Sequence, residues 1–397
     1  MTENNSYVLC GARIYDTDSE SYVTGGIAVK NGVITELGTL SEESSAAAED
    51  VGGARIIPAM VDVHTHGRCG CDFCGASREE LARLRRAYAE SGTATVIPTL
   101  ASGTLKQWLE STDNIHALGF DGIHYEGRYL SPEKRGAHAP ELLKNPDAEE
   151  LRLLMRHAGD MRVHVSMAAE LPGGDEAMAT VIDGGGTVGL AHTSATYEQA
   201  MHAVECGLHS FTHVFNAMTG MSHRAPGVVG AALSSELYTE FICDGVHVHP
   251  SVIKIAYNAV PRDRFVLITD SLMAAGLGDG EYELAGQPVR VENGIARTGD
   301  GAIAGSMLDL FTAGAAGCDL RARANVAARR RDRLAACGAA RGHAAARRAR
   351  RDRPRICRRR ADMRSVASII EYKLILRIYT EMKEGTKGGE EPLQLLP

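Results

Sequence analysis

Two imidazoles one residue apart, His64 and His66, follow the apolar run Ile56-Ile57-Pro58-Ala59-Met60-Val61-Asp62-Val63. Side chains alternate between faces along a strand, so residues two apart point the same way. A buried strand over 55–63 therefore projects both rings from its C-terminal end, where neutral imidazoles make a ready chelate for a divalent cation. Alone, a His-x-His pair also reads as two satisfied polar residues. The same residue types, however, recur downstream. Glu126 follows Gly122-Ile123-His124-Tyr125, His192 follows Val188-Gly189-Leu190-Ala191, and His213 follows Ser210-Phe211-Thr212. Singly, each could be a cap, an ion-pair partner or a structural histidine. From successive strand ends, a carboxylate and two imidazoles can converge on one ion. Asp270 follows Phe265-Val266-Leu267-Ile268-Thr269. A carboxylate beside metal-bound water can take its proton and pass it to a leaving group, and the bland alternative is a strand-end cap.

Positioning these groups requires a repeating scaffold. Apolar strand-like runs occur at 55–63, 94–99, 122–125, 162–167, 187–191, 210–213, 240–243 and 265–269, with helix-like segments between them such as Arg78–Glu90, Glu149–Ala158 and Tyr197–Cys206. Eight strands separated by helices, with no internal repeat, predict an α/β fold, the (β/α)8 TIM-type barrel, whose chemistry sits at the C-terminal ends of the strands. Ahead of it, Tyr7-Val8-Leu9, Gly26-Ile27-Ala28-Val29 and Gly32-Val33-Ile34-Thr35 read as short strands, with Asn31-Gly32 as a two-residue hairpin turn. Residues 1–54 are thus expected to form a small β-sandwich-type domain, including a polar linker from Ser41 to Asp50, and 55–310 the barrel. Short β signals return from Glu281 to Arg297, with Asn293-Gly294 as a turn. Beyond Leu310 the pattern stops. Residues 311–397 are Ala/Arg-rich, with two residues in five between Arg321 and Arg360 being arginine and one short apolar stretch, Val366–Ile378. This tail is expected to be disordered, and its composition matches a coding sequence read out of frame.

Loops over the barrel mouth carry Gly136-Ala137-His138, Arg224 and His247, and Asn216-Ala217-Met218 adds amide groups beside His213. Arg224 offers a planar fork for phosphate or carboxylate, and the two histidines can bond sugar hydroxyls or an anion. Together they describe an anion-receiving lid. Cys69, Cys71 and Cys74 could bind zinc but lack a second matching cluster, so a tight loop of small residues is the preferred reading.

The net charge of −7 averages a mildly acidic body and a basic tail. No apolar stretch reaches the roughly 18 residues that span a bilayer, and the polar start, Met1 to Ser6, lacks a signal-peptide layout. Nine cysteines without a regular framework fit reduced thiols. These features predict a cytoplasmic protein with no membrane partner. The basic tract lacks the interleaved aromatics of a nucleic-acid binder, so no nucleic-acid partner is expected.

Several segments carry a family resemblance: Val61-Asp62-Val63-His64-Thr65-His66-Gly67, Lys134-Arg135-Gly136-Ala137-His138, Gly189-Leu190-Ala191-His192-Thr193-Ser194, Thr212-His213-Val214-Phe215-Asn216-Ala217-Met218, His223-Arg224-Ala225-Pro226-Gly227, and Ile268-Thr269-Asp270. Across about residues 5–310 their order and spacing resemble the N-acetylglucosamine-6-phosphate deacetylases of the amidohydrolase superfamily. The resemblance implies that Glu126, His192 and His213 hold a principal divalent ion, zinc in the first place with Fe2+ or Mn2+ as alternatives. His64 and His66 would support a second ion, and Asp270 would be the catalytic acid/base. Ala137, His138, Asn216, Ala217, Arg224, His247, Ile303, Ala304 and Gly305 would contact a small sugar-phosphate substrate. It further implies a homodimer, with part of the phosphate grip supplied by the neighbouring subunit. The implied reaction releases acetate and glucosamine 6-phosphate.

Two departures stand out. Arg128 replaces the proline usual two residues after the metal-binding glutamate, and is expected to remove a backbone restraint. The tail matches nothing in the family. Competing readings are another amidohydrolase acting on a cyclic amide or N-acyl amine, and an inactive, frameshifted deacetylase.

Overall fold

The computed structural model describes residues 6–16, 19, 21–58 and 60–316. Asn31 and Gly32 take the left-handed backbone that a two-residue hairpin turn demands, with φ of 52° and 77°. They join strand β2 (Ser21–Lys30) to β3 (Val33–Gly38), and β2 also pairs antiparallel with β1 (Tyr7–Asp16). Within the expected polar linker, Ser41 caps a short helix, α1 (Glu42–Ala46). Strands β4 (Glu49–Asp50) and β5 (Arg55–Ile56) then run parallel to β1. Among the described residues this unit is one five-stranded sheet that buries Leu9, Ile14, Ile27 and Val29. It ends at Ile57, and the second compact unit begins at Pro58. The run 55–63 is therefore not one strand. Pro58 has no N–H to give a ladder, Arg55–Ile56 serves the first sheet, and the barrel strand β6 spans Met60–Thr65. His64 consequently lies inside its strand rather than beyond it.

A hairpin of β7 (Gly67–Arg68) and β8 (Cys71–Asp72) follows, then helix α2 (Arg78–Glu90) and strand β9 (Thr93–Leu100). The alternation continues through α3 (Leu105–Ala117), β10 (Gly122–Glu126), α4 (Ala148–Ala158), β11 (Arg162–Met167), α5 (Gly174–Asp183) and β12 (Thr187–Leu190). Next come α6 (Tyr197–Glu205), β13 (Ser210–Phe211), α7 (Gly227–Ser234), β14 (Tyr238–Ile242), α8 (Pro250–Ala259) and β15 (Phe265–Ile268). Capping boxes fix the starts of α2, α3 and α6 through Ser77/Glu80, Thr104/Gln107 and Thr196/Gln199.

Eight parallel strands form a nearly closed barrel in the order β15-β14-β13-β12-β11-β10-β9-β6. One side-chain bond and one backbone bond help close the seam between the first and last strands. The Thr269 hydroxyl donates to the buried Asp62 carboxylate at 2.6 Å, and Asp270 N–H donates to His64 C=O at 2.9 Å. Trp108, Tyr125, Phe211, Phe241 and Phe265 fill the apolar layer around the strands. A three-stranded meander, β16 (Gly280–Leu284), β17 (Gln287–Glu292) and β18 (Ile295–Thr298), turns at Asn293-Gly294. Helix α9 (Leu310–Ala316) then packs on β15 and β6 and buries Leu310 and Ala313. The helical pattern thus outlasts Leu310 by nearly two turns. Residues 317–397, with Val366–Ile378 and the expectations of disorder and a shifted reading frame, lie outside the described residues.

Candidate active site

The C-terminal ends of the barrel strands place every group of the cluster. Asp62 and His64 share the inward face of β6, which His66 extends one residue past the strand end. Glu126 closes β10, while His192, His213 and Asp270 each stand two residues beyond β12, β13 and β15. His192, His213 and Asp270 have left-handed backbone, with φ of 41°, 29° and 49°. Such conformations cost about 1–3 kcal/mol apiece in non-glycine residues and concentrate at functional sites.

The Glu126 carboxylate occupies the centre. One oxygen lies 3.1 Å from His64 Nε2 and 3.0 Å from His66 Nε2; the other lies 2.8 Å from His213 Nε2 and 3.6 Å from His192 Nε2. Asp270 Oδ1 stands 3.1 Å from His66 Nε2, and the His192 and His213 Nε2 atoms are 3.1 Å apart. Burial opposes charge on these rings, yet the carboxylates prevail: His64 is held well above the usual histidine range and His66 is pushed to about 10. Reciprocally, burial is outweighed by the imidazoles at Asp270, which falls to about 2, and at Glu126, which is held well below the carboxylate range.

The donor set fits a divalent cation. The Nδ1–H of His192 donates to Lys134 C=O at 2.7 Å, that of His66 to Thr99 C=O at 3.3 Å, and that of His64 to the Glu240 carboxylate at 3.2 Å. In the neutral rings this leaves the Nε2 lone pairs aimed at Glu126, the outer-contact pattern of metal-bound histidines. His213 Nδ1 is the exception, buried without a partner. Two overlapping ligand groups result, His64–His66–Glu126–Asp270 and Glu126–His192–His213.

Above the cluster lies a cavity of about 380 Å³. Of the residues expected to meet substrate, Ala137, His138, Asn216, Ala217, His247, Ile303 and Gly305 line it. His138 Nδ1 lies 2.8 Å from the Ser102 hydroxyl, and burial holds its ring well below the usual pKa. His247 Nδ1 lies 2.6 Å from the Asp244 carboxylate. Gly305 must be glycine: φ is 61°, and a Cβ would come 3.0 Å from Asp270 C=O. Two expected residues are not in the wall. Ala304 is fully buried, its N–H donating to Ala296 C=O at 3.1 Å, and Arg224 is exposed on a bend away from the cavity. His64 lies beneath the floor. The wall also holds Lys134, Gly136 and Phe215, which stand within the motifs but carried no expected contact, and adds Glu133, Leu284 and Ala302, which sequence reasoning had not singled out. Cys69, Cys71 and Cys74 belong to no ligand group among the described residues.

No protein-family model matches the chain. It is 33% identical over 312 residues to the N-acetylglucosamine-6-phosphate deacetylase of Bacillus subtilis, covering 74% of this chain and 78% of the relative. It is 33% identical over 267 residues to the N-acetylgalactosamine-6-phosphate deacetylase of Escherichia coli O157:H7, covering 65% and 71%. A mutant Mycobacterium smegmatis N-acetyl-D-glucosamine-6-phosphate deacetylase, solved in complex with N-acetyl-D-glucosamine-6-phosphate, superposes with a TM-score of 0.75 at 28% identity, over 81% of this chain and 87% of that one. The chain belongs to the N-acetylglucosamine-6-phosphate deacetylase family.

Against the family pattern, Arg128 does not loosen the loop after Glu126 as expected. Its φ is 52°, its N–H donates to Ser102 Oγ at 3.1 Å, and its guanidinium donates to Gly103 C=O at 2.8 Å and to both Glu150 oxygens at 3.1 and 3.2 Å. The restraint has moved from a ring to a partly buried ion pair.

Glu240 is the group in this deacetylase that sequence reasoning passed over, although a carboxylate in an otherwise apolar strand was its signal. Glu240→Gln keeps an acceptor for His64 but removes the charge. Metal affinity measured by dialysis is expected to fall about 10–100-fold, and an unchanged affinity would show that Glu240 only fills space.

Proposed function

We propose that the chain hydrolyses the acetamide of N-acetylglucosamine 6-phosphate to glucosamine 6-phosphate and acetate. The carrying observation is geometric: two ligand groups that share Glu126, one of them including Asp270, form the floor of a sugar-sized cavity in a chain of this family. Glu126, His192 and His213 would hold the principal ion, with His64 and His66 serving a second, and the imidazole-rich donor set favours zinc. A divalent ion in this site supplies a Lewis acid for the amide carbonyl and acidifies water at neutral pH.

The protein's own groups do the rest. Asp270, ionised throughout the physiological range, accepts the proton of the attacking water and returns it to the departing amine. Ser102 Oγ accepts from Arg128 N–H at 3.1 Å and retains its own proton, which it can donate to His138 Nδ1 2.8 Å away. In that arrangement the neutral His138 carries its proton on Nε2, suited to an oxygen that gains negative charge. Asn216 Nδ2 donates to His213 C=O at 3.0 Å, which ties the sugar wall to the cluster. Burial of the sugar phosphate contributes positioning.

Arg224 and His247 are the proposed phosphate contacts. Because Arg224 stands outside its own cavity, we assign it to the cavity of a second copy in a homodimer. No disulfide joins the described cysteines and, among the described residues, no helix is long and apolar enough to cross a membrane; both support a cytoplasmic setting. Equal identity to a relative named for the galacto epimer makes N-acetylgalactosamine 6-phosphate the second substrate to test.

Acetate release, measured with both epimers and with unphosphorylated N-acetylglucosamine, tests the reading. Activity is expected to require a divalent ion, to favour the phosphate esters, and in Arg224→Ala to show a raised KM with little change in kcat. Equal turnover of the unphosphorylated sugar would overturn it.

A further inference from the structure

Away from the barrel mouth, α5 and α6 bring together three side chains of mixed hard and soft character. Asp175 lies in the first turn of α5; His202 lies in the last turn of α6, and Cys206 caps that helix four residues later. His202 Nε2 is 3.2 and 3.3 Å from the two Asp175 carboxylate oxygens and 3.6 Å from Cys206 Sγ. We propose that Asp175, His202 and Cys206 form a separate, solvent-facing site for a thiophilic divalent cation of the zinc class.

The spacing is what argues for a cation. Nitrogen and oxygen ligands about 2.0–2.1 Å from zinc, and a thiolate about 2.3 Å away, stand roughly 3.3 Å (N···O) and 3.6 Å (N···S) apart at tetrahedral angles. The observed separations match both values. His202 Nε2 is the common neighbour of the carboxylate and the thiol, an arrangement that a shared cation also takes. The i,i+4 spacing puts His202 and Cys206 on one helix face, so two of the ligands need no ordering beyond the helix itself. The thiolate selects zinc, cobalt or similar ions over magnesium and calcium. Exposure of 54% at His202 and 63% at Asp175 leaves a fourth position for water. Among the described residues this is the one ligand group that contains a cysteine, so its spectroscopic signature is separable from that of the barrel cluster.

The test is titration of the metal-free full-length protein with Co2+, followed by absorbance. A thiolate-to-cobalt charge-transfer band in the near ultraviolet is expected to saturate at the amplitude of one thiolate-bound ion per chain, beyond the equivalents the barrel cluster takes, and to vanish in Cys206→Ser. His202→Gln is expected to weaken that binding at least about tenfold, since losing a direct ligand costs no less than losing an outer contact. Absence of the band, or its persistence unchanged in Cys206→Ser, overturns the proposal. Should Cys206→Ser fail to fold, His202→Gln decides: weaker cobalt binding supports the site, and an unaltered titration curve refutes it.

Discussion

Asp270→Asn is expected to lower kcat for acetate release by about 10²–10⁴-fold, with KM changed no more than a few-fold. The amide keeps the size of the carboxylate and leaves untouched the backbone bonds that hold this residue, Asp270 N–H to His64 C=O at 2.9 Å and Ser306 N–H to Asp270 C=O at 2.7 Å. It removes the ionised carboxylate of the cavity floor that lies outside the Glu126–His192–His213 group, held at a pKa of about 2. The Glu126–His192–His213 group does not include Asp270, so its metal content should survive. Rapid-mixing and steady-state kinetics on matched, metal-loaded samples check both halves. A kcat within fivefold of the parent would mean that another base carries the proton.

The second large effect falls on stability. Restoring the family's proline by Arg128→Pro is expected to destabilise the chain by about 3 kcal/mol or more. Proline locks φ near −65°, whereas the backbone here sits at 52°. The substitution also deletes the N–H bond to Ser102 and the partly buried ion pair with Glu150. A fully buried pair broken from one side costs about 3–5 kcal/mol; here Lys144 at 3.0 Å and the Tyr129 hydroxyl at 2.9 Å stay with Glu150, so the backbone cost dominates. For a unit of this size the midpoint of thermal unfolding should drop by roughly 6–12 °C. A variant that melts at or above the parent temperature would show that the loop readily adopts the proline geometry.

Local patterns were legible in the chain because their physics is local. Asn31-Gly32 announces its turn, the capped run Arg78–Glu90 its helix, and alternation the inward faces that carry His64 and His66. The convergence of Glu126, His192, His213 and Asp270 followed from a single fold-level rule, that loops after barrel strands meet at one end. What escaped depends on distant partners or on backbone sign. The Asp62–Thr269 bond joins residues 207 apart and makes Asp62 a seam residue rather than part of an apolar run. Arg128 looked like a missing restraint because side-chain ion pairs cannot be read from spacing. Ala304 alternates away from the cavity between Ile303 and Gly305, and Arg224 faces outward, neither of which a motif reveals.

Glu126 belongs to both ligand groups, and that double membership has a thermodynamic consequence. Electron density given to one ion is density withheld from the other, so occupancy on one side must weaken affinity on the other by an equal factor in each direction. The centre would therefore fill in two unequal steps, and the metal supply would set how many ions a working molecule carries.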